Sequence, residues 1–407
     1  MRILIVNQYA VPPWRSGGTR HYSLAEALAG RGHEIVIAAG AVDYTTGEEF
    51  AVPDTLVDTP TPHVWFRWLP VIKYRGNGTR RLWSMYQFGT SVRRLRTNDL
   101  PWTPDVVVGS SPHPFAALAA LQWARRRERP FVLEIRDIWP DTLVGAGRLH
   151  RLHPAVLLFR RIERRLYKGA NALITLLPGA PDYFASLGVN RSRVHVVPNG
   201  VAVGILERHA MPLKPRPPFV ALYAGAHGHF NGLDTLLDAA VILQERNYTG
   251  RIIIRLIGDG PEKTRLQDRA RQLGCSIVEF LPPVPKDEVA DQLACAHATI
   301  LHLRRADVFR WGISPNKLFD YMAAARPVVY AVETAFDPIA ESGAGLSIPP
   351  ENAEAMARSF IELFHMDDAQ LLMMGHRGRQ YVIDEHGIPL LAAQFERALE
   401  STFGFVA

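Results

Sequence analysis

The feature that most limits the possible folds is an alternation of short apolar runs with helical patterns, interrupted once by a proline-rich stretch at 198–218. Such alternation is typical of parallel sheets covered by helices on both faces. In the first part it predicts strands at 2–7, 34–39, 63–68, 105–109, 131–136, 172–176 and 193–197. In the second part it predicts strands at 219–224, 251–257, 277–280, 299–303 and 327–331, followed by closing helices near 352–364, 369–385 and 389–403. The chain is therefore expected to be an α/β protein.

The proline-rich stretch is expected to divide the chain into domains. Prolines at 198, 212, 215, 217 and 218 are typical of a linker, because proline continues neither a helix nor a central strand. We predict two doubly wound, Rossmann-like domains at 1–198 and 199–385, and a C-terminal helix at 386–407 that crosses back to the first. Ligands of such sheets bind beyond the carboxyl ends of the strands, so an interdomain cleft is the expected site.

Composition excludes several classes of protein. No run approaches the roughly 20 apolar residues that span a bilayer, and the apolar part of the N-terminus is too short for a signal peptide. The two cysteines, Cys275 and Cys295, are too few for a disulfide framework and lack metal-ligand spacing. These observations predict a cytoplasmic protein with reduced thiols.

A net charge of +6 indicates anionic partners, and the basic residues concentrate at 73–96, 125–129 and 160–168. The first cluster follows an aromatic run at 64–69. Arginine among aromatic rings suits an anionic membrane surface or nucleic acid, or it marks a solvated helix with its aromatics in the core. No nucleic-acid motif accompanies the charge, so no nucleic-acid partner is expected. For a peripheral membrane protein the candidates are Trp65, Trp68, Arg80, Arg81, Arg93 and Arg94.

The stretch at 311–329, WGISPNKLFDYMAAARPVV, indicates a loop, a helix with a sharp start and a buried strand. Ser314 is expected to cap the helix, with Pro315 in the first turn, where its missing N–H costs nothing. Lys317 and Asp320 are three residues apart, so both point from one face of the helix. Free backbone N–H groups and Lys317 suit a phosphate, and Asp320 suits a ribose diol. The alternative is an ordinary capped helix with a Lys–Asp surface pair.

Two other loops have the composition of phosphate-binding turns. Gly17 and Gly18 lie between the first predicted strand and a helix, and glycine lets a backbone approach phosphate closely. They do not form the G-x-G-x-x-G fingerprint of nicotinamide dinucleotide sites. The turn at 258–261, Gly-Asp-Gly-Pro, follows another predicted strand and opens a helix. A nearby loop holds three arginines that either clamp a diphosphate or form structural ion pairs: Arg304, Arg305 and Arg310.

In the first part of the chain, the loops after predicted strands hold a histidine and two acids. His113, beside two serines, can donate to a sugar hydroxyl or to developing charge, although a single histidine is more often structural. Asp137 and Asp141 are candidates for a general base or for sugar binding, the alternatives being a helix cap and a surface acid. No D-x-D pair occurs, which disfavours an enzyme that neutralises a diphosphate with a carboxylate-held metal.

Six segments together resemble glycosyltransferase family 4, the retaining nucleotide-sugar enzymes of GT-B fold. They lie at 1–21, 134–141 (EIRDIWPD), 196–201 (VVPNGV), 222–240, 257–270 (IGDGPEKTRLQDRA) and 314–329. The similarity covers nearly the whole chain in register. Within the family, the chain is most similar to a bacterial subgroup of surface-polysaccharide enzymes that includes fucosamine transferases.

The resemblance implies transfer of a hexosyl or N-acetylhexosaminyl group from a nucleotide-sugar, expected to be a UDP-sugar, without cofactor or metal. The implied acceptor is a saccharide or a polyprenyl-diphosphate-linked saccharide at the inner face of the cytoplasmic membrane, attacked with retention of configuration. It places His113, Asp137 and Lys317 at the catalytic centre. The implied donor-binding residues are Gly17, Gly18, Gly258, Asp259, Gly260, Arg304, Arg310, Ser314, Asn316, Lys317 and Asp320.

The chain departs from the family pattern where the donor is usually held. The usual Arg and Lys of a G-R-L-x-x-x-K-G loop are Ala226 and Asn231, and the first Glu of an E-x7-E pair is Gly312. A common glycine after the helix is Ala325, which matters if that position needs a positive φ. Two other classes therefore stay open, a UDP-sugar 2-epimerase of GT-B fold and a non-catalytic protein that binds anionic surfaces.

Overall fold

The computed structural model describes residues 1–12, 14–15, 17–43, 46–74, 78–111, 113–145, 150–201 and 216–404, leaving aside the side chains of 143, 286 and 287. The chain forms two compact units. Unit 1 comprises Met1–Pro198 and Ile388–Ala407, and unit 2 comprises Asn199–Gly387. The chain therefore returns from unit 2 to unit 1 between Gly387 and Ile388.

Unit 1 is built on an eight-stranded sheet of order β3-β4-β2-β1-β5-β6-β7-β8. Its strands are β1 (Arg2–Val6), β2 (Glu34–Gly40), β3 (Leu56–Asp58), β4 (Val64–Leu69), β5 (Val106–Ser110), β6 (Phe131–Ile135), β7 (Ala172–Thr175) and β8 (Val194–Val196). Its helices are α1 (Arg20–Ala29), α2 (Thr79–Arg94), α3 (Pro114–Arg125), α4 (Asp141–Gly145), α5 (Pro154–Gly169) and α6 (Ala180–Ser186). Only β3 runs antiparallel to its neighbour among the paired strands described.

Unit 2 has a six-stranded parallel sheet of order β11-β10-β9-β12-β13-β14. Its strands are β9 (Phe219–Ala224), β10 (Ile252–Ile257), β11 (Val278–Leu281), β12 (Ala298–His302), β13 (Val328–Ala331) and β14 (Gly345–Ile348). Its helices are α7 (Asp234–Glu245), α8 (Lys263–Gln272), α9 (Lys286–Ala294), α10 (Asn316–Ala323), α11 (Pro338–Ser342), α12 (Ala353–His365) and α13 (Asp368–His386).

The last helix, α14 (Ile388–Glu400), belongs to unit 1 rather than to the unit that precedes it in sequence. Its apolar face, with Leu391 and Phe395, is fully buried in the same core cluster as Leu24 and Leu28 of α1. Apolar residues at this helical spacing bury one face, so the packing follows from the sequence pattern. The helix therefore covers the sheet of unit 1 beside α1.

Two short strands were not predicted. In β3 all three residues are exposed, and in β14 none is fully buried, so neither has the apolar run that marks a central strand. Ala325, directly after α10, has φ 54°. This position does require the left-handed backbone that glycine adopts without strain, so the alanine carries a steric cost of about 1 kcal/mol.

Candidate active site

The helix α10 begins at the carboxyl edge of the unit 2 sheet, but not with the predicted cap. It starts at Asn316, and Pro315 occupies the capping position without a side-chain bond. The prediction that Ser314 caps the helix is wrong, because its hydroxyl accepts from the backbone N–H of Asn199 at 2.8 Å instead. The Ser314 carbonyl also accepts from the Asn199 side-chain amide. Ser314 thus fixes the loop to the first residue of unit 2.

Lys317, in the first turn of α10, is a cation at this edge. Its Nζ donates to Asn231 Oδ1 at 2.6 Å and to the Tyr223 hydroxyl at 3.1 Å, and lies 4.6 Å from the centre of the Tyr223 ring. Within the described ranges no carboxylate forms a salt bridge with it. Burial among these neighbours lowers the pKa of Lys317 to about 7. The ammonium therefore has no salt-bridged counter-ion in the described part of the chain.

The loop between β9 and α7 is arranged around that ammonium. Asn231, which stands where the family pattern has a lysine, donates from its amide to the Ala226 carbonyl at 2.9 Å. The Tyr223 hydroxyl donates to the same carbonyl at 2.7 Å. Both bonds leave the acceptor atoms of Asn231 and Tyr223 facing Lys317. The Asn231 side chain therefore orients Lys317 instead of supplying a second charge.

The Gly-Asp-Gly turn after β10 packs against the same loop. A Cβ on Gly258, whose φ is 139°, would lie 2.0 Å from the Gly225 carbonyl oxygen. A Cβ on Gly260 would lie 2.5 Å from the His227 carbonyl oxygen, and Asp259 turns its carboxylate to the Gly260 N–H at 2.8 Å. Close packing of two loops is thus sufficient to explain both glycines, and a role of the three residues in donor binding stays a prediction.

The arginines of unit 2 have protein partners. Arg304 pairs with Asp234 at 3.4 Å and Arg305 with Glu333 at 3.1 Å, while Arg310 lies 4.6 Å over the Trp311 ring. The first two contacts match the structural alternative of ion pairs, so a diphosphate clamp would require Arg304 and Arg305 to exchange partners, whereas Arg310 makes a ring contact. Asp320 lies half-buried one turn after Lys317. Its expected contact with ribose stays a prediction.

His113 lies at the carboxyl edge of the unit 1 sheet and caps α3. Its Nδ1 accepts from the Ala116 N–H at 3.3 Å, and its Nε2 donates to Gln8 Oε1 at 2.8 Å. Burial, together with the charge of Arg81, lowers the pKa of His113 to about 3, so the ring is neutral at physiological pH. With both nitrogens occupied, its role at a donor sugar stays a prediction.

The two candidate acids after β6 differ in their surroundings. Asp137 is exposed. Asp141, the first residue of α4, accepts from Arg160 at 3.1 Å and from the Tyr183 hydroxyl at 3.4 Å, as expected of a structural acid. Asp137 is therefore the more accessible candidate for an acceptor-side base.

A buried ion cluster that joins β6 to the start of α1 was not predicted. The Glu134 carboxylate, fully buried in β6, accepts from Arg20 Nε at 3.0 Å and from His21 Nε2 at 2.6 Å. Burial alone would raise the pKa of Glu134, but the neighbouring His21 and Arg20 hold this pKa well below its usual range. The signal in the sequence is a glutamate within the apolar run FVLEI, since a buried charge needs partners.

The hydrogen bonds around His21 identify its charge state. Its Nδ1 lies 3.2 Å from the Asn7 side-chain amide, which also donates to the Ser110 hydroxyl at 3.0 Å. An Nδ1 that accepts and an Nε2 that donates describe a neutral ring, in agreement with the lowering of the pKa of His21 by burial. Arg20 therefore supplies the positive charge that balances Glu134.

The residues proposed for a membrane surface do not share one face. Trp68 is 5% exposed and packs on Phe66 at 4.6 Å between ring centres, so its assignment to a membrane side is wrong. Alternation along β4 turns this ring into the core. Trp65 is half-buried against Trp102. Of the four arginines, Arg80 and Arg94 are exposed, Arg93 bonds Thr90, and Arg81 turns over the Tyr9 ring at 5.6 Å.

No helix in the described part of the chain is both long and apolar enough to cross a bilayer. Among the same residues, no group of three or more His, Cys, Asp or Glu side chains converges as metal ligands would.

Comparison with known families and proteins gives consistent matches in both units. Residues 17–200 match the model of a glycosyl transferase 4-like domain, and residues 218–366 match glycosyl transferases group 1. The chain is 23% identical over 377 residues to a putative colanic acid biosynthesis glycosyl transferase, WcaI, of Escherichia coli K12, covering 88% of this chain and 90% of WcaI. It is 26% identical over 258 residues to a probable glycosyltransferase, WbjE, of Pseudomonas aeruginosa, spanning 59% of this chain and 61% of WbjE.

Solved structures share the fold over nearly the whole chain. Sucrose-phosphate synthase of Thermosynechococcus elongatus superposes with a TM-score of 0.74 at 16% identity, covering 99% of each chain. The Anabaena protein HepE in complex with UDP gives a TM-score of 0.67 at 14% identity, covering 98% of this chain and all of HepE. The two sheets with their helices and these likenesses establish the GT-B fold.

Proposed function

Because the chain belongs to the family 4 glycosyltransferases of bacterial surface-polysaccharide assembly, we propose that it transfers a sugar from a UDP-sugar to a saccharide or polyprenyl-diphosphate-linked acceptor. The transferred group is a hexosyl or N-acetylhexosaminyl unit. The transfer uses no metal and retains the anomeric configuration. The product is a chain of the lipopolysaccharide or capsule type.

One observation carries the donor assignment, namely the half-buried ammonium of Lys317 with no carboxylate in salt-bridge contact among the described residues. A desolvated cation without a counter-ion is costly, and an anionic ligand removes that cost. Its position in the first turn of α10 adds the positive end of the helix dipole. The structural neighbour HepE in complex with UDP supports a uridine nucleotide.

In the proposed reaction an acceptor hydroxyl attacks C1 of the donor sugar while the bond from C1 to the diphosphate oxygen breaks. The hydroxyl proton passes to the leaving diphosphate, so no protein nucleophile is needed. Negative charge grows on that diphosphate as the bond breaks, and an ammonium already oriented by Asn231 and Tyr223 stabilises it without reorganising. Lys317 is therefore assigned to the leaving group.

The function is tested by incubating the protein with UDP-sugars and GDP-sugars, with and without a bacterial lipid extract as acceptor source, and measuring nucleotide release and sugar identity. The proposed transferase releases UDP only when the acceptor is present. Conversion of the UDP-sugar without acceptor would instead identify a 2-epimerase. No conversion and no nucleotide affinity would leave a non-catalytic binding protein.

UDP affinity is expected to fall as the pH rises from 7 to 9. Since burial lowers the pKa of Lys317 to about 7 and a diphosphate favours the protonated amine, binding above pH 7 must take up a proton. The affinity then falls by at most roughly tenfold per pH unit. UDP itself stays ionised in this range, because a phosphate second pKa is about 6.

Titration calorimetry at pH 7, 8 and 9 measures this dependence. The Lys317→Arg variant keeps its positive charge at all three pH values. If the arginine binds UDP, the UDP affinity of this variant should not change with pH. A flat profile for the unmodified protein would contradict protonation of Lys317 on binding.

For the membrane we propose a different surface from the one indicated by the sequence, the α2–α5 face. Its exposed apolar residues are Leu82, Trp83 and Tyr86 of α2 and Leu157 and Leu158 of α5, and its exposed arginines are Arg80, Arg161, Arg164 and Arg165. Both helices pack on α3, where Phe115 lies 6.5 Å from the Tyr86 ring and 6.0 Å from the Phe159 ring. Apolar side chains ringed by arginine suit an anionic lipid surface.

Replacing Arg80, Arg161 and Arg164 together by Gln is expected to weaken binding to phosphatidylglycerol vesicles roughly 100-fold, since each arginine near such a surface contributes about 1 kcal/mol. Vesicle flotation at low salt measures the effect. The matched control replaces Arg246, Arg271 and Arg358, exposed arginines of unit 2, and should float as the unmodified protein does. Equal flotation of both triple variants would remove the α2–α5 face from the proposal.

A further inference from the structure

Arg136 is a cation of the unit 1 site that forms no salt bridge with the described residues. It directly follows β6 and is half-buried. Among the residues that the structure describes, no side chain or backbone group forms a hydrogen bond or an ion pair with its guanidinium. Arginine is rarely left in this state inside a protein, because its five N–H donors and its charge are costly to desolvate.

The nearest buried acid is bonded to other groups. Glu134 accepts from Arg20 Nε at 3.0 Å and from His21 Nε2 at 2.6 Å. Asp137, the next acid along the chain, is exposed and not in salt-bridge contact with Arg136. Arg136 therefore has two acids near it, Glu134 and Asp137, without a salt bridge to either.

The guanidinium faces the Gly17–Gly18 turn. A Cβ added to Gly18 would lie 3.9 Å from an Arg136 guanidinium nitrogen and 3.1 Å from the Tyr9 carbonyl oxygen. Gly17 has φ 140°, a conformation that disfavours other residues. The turn leads into α1, whose capping residue Thr19 makes no side-chain cap. The guanidinium of Arg136 thus lies beside a turn of two glycines at the start of α1.

We propose that Arg136 and the Gly17–Gly18 turn bind a phosphate group of one of the two substrates. The assignment rests on the proposed function, which supplies two sources of this chemistry, the diphosphate of the donor and the diphosphate of a polyprenyl-linked acceptor. A guanidinium binds phosphate oxygens bidentately, and the glycines allow the phosphate to reach backbone N–H groups. Arg136 is a substrate-binding residue of unit 1, as Lys317 is of unit 2.

The experiment uses Arg136→Gln, Arg136→Lys and a control, Arg126→Gln, which removes an exposed arginine at the end of α3. One arm titrates UDP into the free protein by calorimetry. The other titrates inorganic pyrophosphate into protein saturated with UDP, so that the donor site is occupied. Circular dichroism and thermal unfolding confirm that the variants are folded.

A rise of tenfold or more in the Kd for UDP with Arg136→Gln assigns Arg136 to the donor. A similar rise in the Kd for pyrophosphate, without a rise in the Kd for UDP, assigns Arg136 to an acceptor diphosphate. Arg136→Lys should keep part of the affinity, and Arg126→Gln should change neither Kd. If both Kd values of Arg136→Gln stay within twofold of the unmodified protein, the inference is overturned. A protein that binds neither UDP nor pyrophosphate contradicts the proposed function itself.

Discussion

Lys317→Ala is expected to lower kcat/KM for the UDP-sugar by about 100-fold to 1000-fold. Removing one preorganised charge contact from a leaving group costs roughly 3–4 kcal/mol of transition-state stabilisation. The loss should be large here because Asn231 replaces the lysine of the family loop and Arg304 is paired with Asp234. Within the described part of unit 2, no carboxylate forms a salt bridge with Lys317.

We expect the variant to fold normally, because no salt bridge with a described carboxylate is lost with Lys317. Its ammonium is desolvated without a counter-ion, so Lys317→Ala should unfold at a temperature equal to or above that of the unmodified protein. Lys168→Ala, an exposed lysine of α5, is the matched control and should leave kcat/KM unchanged. Near-normal kinetics of Lys317→Ala would remove Lys317 from the diphosphate.

Glu134→Gln should have the largest effect on stability, lowering the unfolding free energy of unit 1 by about 3–5 kcal/mol. The amide has almost the same shape, but it leaves the buried guanidinium of Arg20 without its carboxylate. The amide also has a single acceptor oxygen for Arg20 and His21 Nε2–H, whereas the carboxylate has two. Arg20 additionally donates to the Val197 carbonyl at 2.7 Å and to the Pro198 carbonyl, so the cluster fixes the last residues of unit 1.

Urea unfolding followed by fluorescence measures this difference. The control is Glu354→Gln, which removes an acid that pairs with Arg246 at 2.8 Å on the surface, both side chains being more than 40% exposed. Exposed pairs contribute at most about 1 kcal/mol, so this variant should unfold close to the unmodified protein. Equal, small losses in both variants would show that the buried cluster does not hold the site together.

The alternation of strands and helices was predictable because burial on both faces forces continuous apolar runs in parallel strands. In β1 and β9 all but one of the eleven residues are buried, and both were predicted within one residue. The exposed β3 and the half-buried β14 carry no such run. They depend on neighbours in the sheet that a local window does not contain.

The aromatic segment at 64–69 shows why part of the predicted membrane surface was wrong. Charge and aromatic content suggested a surface at Trp65 and Trp68, yet Trp68 is in the core. Arg67, between them, is 8% exposed and donates to the Asp54 carbonyl, 13 residues away. The sequence pattern therefore indicated a surface arginine where Arg67 is buried, because the residue that it bonds, Asp54, lies outside the aromatic run.

Within the site, local geometry was predictable and long-range pairing was not. Lys317 and Asp320 lie on α10, as the helical spacing required. Ser314 has the composition of a cap, but Asn199, 115 residues away, takes its hydroxyl. Glu134 and Arg20 are 114 residues apart, and only the fold brings them together. A single sequence contains no record of such pairs.

The chemical reactivity of Lys317 shows whether this residue holds the donor diphosphate. The chain has six lysines, so each can be followed by mass spectrometry. With limiting acetic anhydride at pH 7, Lys317 should be acetylated faster than the exposed Lys73 and Lys168, because its pKa of about 7 leaves much of the amine neutral. Saturating UDP should protect Lys317 and leave Lys73 and Lys168 unchanged. Acetylation of Lys317 at the same rate with and without UDP would contradict the account.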